Sequence, residues 1–264
     1  MSINEDYSEN GFAFPIRAIS AEKAREIRQQ LEEVERSLED QSVLKFNANF
    51  VLPFLQELTT LESITDAVAE VLGDDLLVWG CNLFIKEAKS EHYVSWHQDL
   101  HYWGLNEDDQ VTAWLALSPA TIESGCMKFV PGSHKTIVEH RDTFHEDNLL
   151  TRGQEIAVDV DEADAVAIEL QPGEMSLHHG RLFHGSDPNR SNDRRIGVAM
   201  RFIKPSMKQV GGQKSLATLA KGQDKFGNFE LVEPPKEMLS PEAIALRQRA
   251  LDISQTILYD GADK

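Results

Sequence analysis

The segment SWHQDLHYW, residues 95–103, puts His97 and Asp99 two positions apart among aromatic residues. An imidazole and a carboxylate are both ligands for a divalent metal. In an extended strand alternate side chains share a face, so His97 and Asp99 are expected to point one way and Gln98 the other. A histidine and an aspartate at this spacing are common on ordinary strands, and a metal reading needs a third ligand. His184, in RLFHGSDPNRSNDRR, is the best candidate, because an apolar run ends there in a Gly-Ser-Asp-Pro turn. Two histidines and one carboxylate leave coordination positions open, the arrangement that suits non-haem Fe(II) oxygenases. His178 and His179 compete for the distal position, but no arginine follows them at the matching separation.

Arg195 stands eleven residues after His184 and begins the run RIGVAMRFI. The chain turns through Asp187-Pro188-Asn189, so this strand is expected to return beside His184. A guanidinium there can hold a carboxylate with two parallel hydrogen bonds. Arg195, Gly197 and Ala199 would share one face of the strand, leaving room for a small dicarboxylate beside the cation.

The segments HQDLHYW, VTAWLAL, SGCMKFVPGSHK and FHGSDPNRSNDRR, in this order and spacing, resemble the phytanoyl-CoA dioxygenase family of Fe(II)- and 2-oxoglutarate-dependent oxygenases. The resemblance runs from about Asn82 to Arg201. It implies that His97, Asp99 and His184 are the iron ligands and that Arg195 binds the far carboxylate of 2-oxoglutarate. It also implies cosubstrate contacts from Ser186, Trp114 and Asn82, with Lys45 reaching the near carboxylate. His101, Tyr102 and His134 are candidates for the substrate side. The implied cofactors are Fe(II), 2-oxoglutarate as cosubstrate and O2. The implied reaction couples decarboxylation of 2-oxoglutarate, giving succinate and CO2, to hydroxylation of an unactivated C–H bond. Halogenases of this superfamily replace the carboxylate ligand by a small residue, so Asp99 favours hydroxylation. Two other readings compete: a barrel that binds a small carboxylate without turnover, and a cupin-like enzyme using zinc or manganese.

The other histidines and aromatics have simpler expectations. Trp96 and Trp103 read as core residues, His101 as a wall or strand residue, and His134 as closing a turn or lying near the site mouth. His178 and His179 are expected to shape the sheet, and His92, His140 and His145 to lie on the surface.

These residues need a scaffold. Between residues 76 and 203 short β-type runs alternate with turn residues: LLVWGCNLFI, YVSWHQDL, VTAWLAL, CMKFVPG, AVAIEL, EMSLHH and RIGVAMRFI. Seven or so such strands predict an all-β core with flanking helices, a sandwich or closed barrel. The resemblance sharpens this to a double-stranded β-helix, the jelly-roll, cupin-like barrel. A strand is expected at GFAFPI. Helices are expected over Ser20–Asp40, capped by Ser20, over Leu61–Leu72, closed by Gly73, and over Ser240–Tyr259, with Pro241 at its first position. The acid-rich stretch Lys135–Asp164 reads as a lid or substrate loop, and Lys204–Lys225 as a smaller covering segment.

At 264 residues the chain fits a single domain, 1–264, with a barrel core at about 76–203. Acidic residues outnumber basic ones 44 to 26, a net charge of -18, which argues against a nucleic-acid partner. The same charge makes a small polar metabolite a better expected substrate than a CoA thioester. Cys81 and Cys126 lie far apart in apolar segments, as reduced core thiols of a cytoplasmic protein would. MSINEDYSEN has no apolar core of a signal peptide, no window approaches a membrane span, and GADK is not a peroxisomal address. No feature of the sequence indicates an oligomeric state.

Overall fold

The computed structural model of the protein describes residues 2–233 and 236–258. The chain separates into two compact units. Five helices and thirteen strands are present among the described residues. The strands form a seven-stranded sheet of order β1-β9-β4-β11-β2-β12-β13, a four-stranded sheet of order β3-β10-β5-β8 and a hairpin of β6 and β7. Their ranges are given with the unit in which each strand begins.

The first unit comprises Met1–Gln29, Phe84–His101 and Trp114–Gly197. It opens with helix α1, Ile3–Asn10, where the sequence pattern suggested only an acidic terminus. Ser2 Oγ accepts the Glu5 N–H while the Glu5 carboxylate accepts the Ser2 N–H, a reciprocal cap that satisfies two orphan donors of the first turn. Strand β1 (Phe12–Arg17) follows and pairs antiparallel with β9 (Glu174–His178). Helix α2, Ala21–Ser37, starts here, with Ser20 Oγ accepting the Lys23 N–H at 3.0 Å as expected of its cap. The smaller sheet consists of β3 (Val94–His97), β10 (His184–Ser186), β5 (Met127–Phe129) and β8 (Val166–Ile168). Phe129 of β5 packs on Phe12 of β1, ring centroids 5.2 Å apart, and on His178 of β9 at 5.1 Å. Within this unit β1 and β9 of the larger sheet therefore face β5 of the smaller one.

The stretch Lys135–Asp164 is more ordered than a loop. It folds back as the antiparallel hairpin of β6 (His140–Asp142) and β7 (Gln154–Ile156). Asn148 Nδ2 donates to Ser95 Oγ at 2.8 Å, and Ser95 Oγ in turn donates to the Gln154 carbonyl, tying the hairpin to β3.

The second unit comprises Gln30–Leu83, Tyr102–Ala113 and Val198–Lys264. It holds α3 (Pro53–Thr59), α4 (Glu62–Leu72), closed by Gly73 as expected, and α5 (Pro241–Leu258), which starts on Pro241. Tyr259, the expected end of that helix, and the GADK terminus lie outside the described residues. Strands β2 (Leu76–Lys86), β4 (Gln110–Ala116) and β11 (Arg195–Ile203) have residues in both units. Lys204–Lys225 contains a strand the pattern did not suggest, β12 (Leu216–Lys221), antiparallel to β2 and parallel to β13 (Glu230–Leu231). The core here gathers Leu77, Ile203, Met207, Ala217 and Phe229. Trp103 is buried and Trp96 half-buried, in keeping with core packing. Among the described residues no helix is long and apolar enough to cross a membrane.

Candidate metal centre

Strand pairing creates the centre. In the antiparallel register of β3 with β10, His97 and His184 are direct cross-strand partners, and their ring centroids lie 4.0 Å apart. Asp99 joins them by a route the alternation argument did not foresee. Strand β3 stops at His97, and Asp99 is the first residue of a 3-10 turn, Asp99–Tyr102. The turn, not a shared strand face, brings the Asp99 carboxylate to 3.4 Å from His97 Nε2. One ligand atom from each of His97, Asp99 and His184 lies within 4.8 Å of the others.

Both imidazoles are aimed by the same local device. His97 Nδ1 is 2.9 Å from the Ser95 carbonyl, and His184 Nδ1 is 2.9 Å from the Leu182 carbonyl. A carbonyl only accepts, so each Nδ1 carries the proton and each Nε2 presents a lone pair. Burial, helped by the neighbouring His97, holds the His184 imidazole well below its ordinary pKa, in the neutral form a metal requires. Gln98 points away, as expected. Its side-chain amide donates to the Thr136 carbonyl at 2.8 Å and to the Arg181 carbonyl at 2.5 Å, and its oxygen accepts the Val138 N–H at 3.2 Å.

Arg195 is nearly fully buried, at 1% exposure. It starts β11, as expected; β10, which carries His184, belongs to the smaller sheet, whereas β11 lies between β4 and β2 in the larger one. Nη1 donates to the Gly125 carbonyl at 3.2 Å, and the guanidinium lies 5.2 Å from the Trp114 ring centroid. Nε has no hydrogen-bond partner among the described residues. A buried donor left unsatisfied is costly, and here it belongs to a cation; a carboxylate is the group that would satisfy both. Burial lowers the Arg195 pKa to about 10, which leaves it charged at neutral pH. The expected open space at Gly197 is absent, because the Trp114 indole fills it: a Cβ on Gly197 would stand 1.9 Å from Trp114 Cζ2.

Ser186, two residues past His184, is buried, and its hydroxyl accepts from Lys86 Nζ at 2.6 Å. Asn82 and Lys45 are placed in the second unit. There Asn82 Oδ1 accepts the Asn47 N–H at 3.1 Å, and the Lys45 carbonyl accepts the Leu83 N–H at 3.2 Å. Tyr102 also belongs to that unit. His101 is not a strand residue; it sits in the 3-10 turn, exposed, and stacks on His140 with centroids 4.2 Å apart. His134 is the middle residue of a 3-10 turn, Ser133–Lys135, and packs against His179 at 5.4 Å. His140 is not the surface residue expected. It lies half-buried on β6, its Nε2 accepts the Gln98 N–H at 3.0 Å, and burial followed by the nearby His101 pushes its pKa down to about 4. His92 and His145 are exposed as expected.

Three further residues stand around the centre: His178, expected to shape the sheet, and two that sequence reasoning missed. His178 stands 4.9 Å from the His184 ring, and Phe129 packs edge-on to His184 at 6.1 Å. Lys86, the third, is fully buried. The only signal for it was a lone basic residue closing the apolar run LLVWGCNLFIK.

Residues 7–197 match the family described as phytanoyl-CoA dioxygenase. The chain belongs to that family. Among curated relatives it is 29% identical over 153 residues to a probable alpha-ketoglutarate-dependent hypophosphite dioxygenase of Stutzerimonas stutzeri, covering 56% of this chain and 52% of that protein. It is 28% identical over 148 residues to the peroxisomal phytanoyl-CoA dioxygenase of Homo sapiens, covering 54% and 44%. The chain thus spans about half the length of the curated relatives it matches. Similarity to a solved non-heme monooxygenase, ThoJ in its apo form, extends over 98% of both chains, with a TM-score of 0.88 and 30% identity. CytC3 with Fe(II) and alpha-ketoglutarate shares the fold at a TM-score of 0.66 and 18% identity, covering 88% of this chain and 92% of that one. This phytanoyl-CoA dioxygenase family member therefore has the double-stranded β-helix expected of it.

Proposed function

We propose that the protein is a 2-oxoglutarate-dependent hydroxylase of a small-molecule metabolite. One observation carries the reading: three convergent metal ligands and a buried arginine with an unsatisfied N–H occupy the same unit. His97, Asp99 and His184 would hold the ferrous ion, which when bound supplies the positions for a 2-oxo acid and dioxygen and the oxidation of an unactivated C–H bond.

The chain's own groups bind, orient and exclude water. His97 and His184 offer neutral Nε2 lone pairs fixed by the Ser95 and Leu182 carbonyls, while Asp99 supplies the negative charge. Arg195, held against Trp114, would clamp the distal carboxylate of 2-oxoglutarate, with the Ser186 hydroxyl beside it as a second polar contact. Phe129 against His184 and Trp114 against Arg195 add buried apolar surface, which strengthens the ion pair and keeps solvent away. His101 and His134 would line the approach of the substrate.

The test is formation of succinate from 2-oxoglutarate by the purified protein supplied with Fe(II), measured alongside Asp99→Ala. Iron-dependent succinate, lost in the variant, is the expected outcome. Equal background in both proteins across a panel of small polar metabolites, or activity supported by zinc without 2-oxoglutarate, would overturn the proposal.

A further inference from the structure

Lys86 has no role in the chemistry derived so far, yet it is among the largest fully buried side chains of the protein, together with Arg195. It closes β2, and its ammonium donates to Ser186 Oγ at 2.6 Å and to the Asp187 carbonyl. Both acceptors are neutral. Among the described residues no carboxylate forms an ion pair with Lys86 or with Arg195. Asp187, whose carbonyl accepts from Lys86, sends its carboxylate outward to Lys128 at 2.6 Å.

Arg195, and Lys86 when protonated, have donor capacity left over. Two acceptors leave one N–H of the Lys86 ammonium, the Arg195 Nε–H is unsatisfied, and the Ser186 hydroxyl, which accepts from Lys86, has its own proton to give. The two charges also feel one another: burial is the main cause that drives the Lys86 pKa down to about 6, and the Arg195 charge is the second. At neutral pH the empty site therefore leaves Lys86 mostly an uncharged amine beside the charged Arg195, and an anion placed between them favours the protonated ammonium, so anion binding and proton uptake by Lys86 go together. Gly125 helps form the enclosure. Its left-handed backbone (φ +70°) lets the Asp187-Pro188 segment pack where a Cβ would meet the Asp187 carbonyl at 2.2 Å, and its own carbonyl receives Arg195.

We infer that Lys86 is a second cationic anchor for the distal carboxylate of the cosubstrate, acting with Arg195 and through the Ser186 hydroxyl it orients. The inference rests on the proposed use of a 2-oxo dicarboxylic acid. It makes the protein selective for dicarboxylic over monocarboxylic oxo acids by two charges.

Calorimetric titration of the Ni(II)-loaded protein tests it without turnover, comparing 2-oxoglutarate with 2-oxopentanoate, in which a methyl group replaces the distal carboxylate. Lys86→Met is expected to weaken 2-oxoglutarate at least about tenfold, the scale of one hydrogen bond to a charged group, and 2-oxopentanoate less than about twofold. Lys86→Gln, which keeps donors but not charge, is the second variant in case the methionine protein does not fold; the same selective loss is expected of it. Thermal shifts by succinate on metal-free wild type and variants give an independent reading, with a shift in the wild type that the variants lose.

Unchanged 2-oxoglutarate affinity would overturn the inference. So would equal weakening of both oxo acids, the signature of a lysine that merely holds the 186–187 turn. Failure of the wild type to bind 2-oxoglutarate at all would instead remove the proposed function on which the inference rests.

Discussion

His97 and His184 are separated by 87 positions in the chain but sit directly opposite one another on adjacent strands, with rings 4.0 Å apart. Cross-strand pairing places Cβ atoms about 5 Å apart, so the sheet register itself sets the bite of the two imidazoles. Asp99 supplies the third donor from the turn that follows. Replacing His184 or Asp99 by alanine is expected to abolish metal-dependent 2-oxoglutarate consumption while the fold persists. Circular dichroism and metal titration check both halves; an alanine variant that retains stoichiometric metal and turnover would refute the ligand assignment.

Arg195→Met is expected to raise the KM for 2-oxoglutarate by at least about tenfold, one charge-assisted hydrogen bond or more at about 1.5–3 kcal/mol. The KM for the substrate should change far less. Steady-state kinetics with each reactant varied in turn measures the split, and equal effects on both would count against the assigned role.

Gly197→Ala is expected to destabilise the protein. The new methyl would overlap the Trp114 indole, which is itself stacked with Arg195. Overpacking of a dense interior costs about 1–3 kcal/mol, so the urea midpoint should fall and cosubstrate affinity should fall with it. An unchanged midpoint would show that the indole moves aside freely.

Gln98→Ala removes three hydrogen bonds that join Thr136, Val138 and Arg181 to the segment carrying the metal ligands. At about 1 kcal/mol each, the loss should appear as faster amide hydrogen exchange at Val138 and in the β6–β7 hairpin. Protection equal to that of the wild type would mean that the hairpin is held by its other ties.

Acid should destabilise the metal-free protein well above the range in which carboxylates titrate. Folding depresses the pKa of His184 and takes that of His140 to about 4. As pH falls below about 6.5, the ordinary histidine value, the unfolded chain takes up protons that the native chain refuses. Each such group removes up to about 1.4 kcal/mol per pH unit until its folded pKa is reached. Urea titrations at pH 7.5, 6 and 5 should give falling stability, and His140→Gln should flatten the slope between pH 6 and 5. A slope unchanged by that substitution would show that His140 is not the group responsible.

Much of this centre was legible from residue types and spacing. His97, Asp99 and His184 carry a ligand pattern that few other chemistries require, and apolar runs separated by turn residues marked most of the strands. The misses have physical causes. Alternation predicts faces only while a strand lasts, and β3 ends one residue before Gln98, so Asp99 arrived through a turn. Hairpin β6–β7 is built from polar residues, His140, Arg141 and Asp142 against Gln154, Glu155 and Ile156, so hydrophobic periodicity had little to register. Helix α1 was signalled by Ser2 and Glu5, not by an apolar stripe. The environment of Lys86 comes from Ser186 and Asp187, 100 and 101 positions away, and no local pattern reports such a neighbourhood.

The backbone aim of the two imidazoles has a wider consequence. Each ring is steered by the carbonyl two positions before it, so its orientation travels with a tripeptide and needs no distant partner. Side chains elsewhere in the wall can then change without turning either ring.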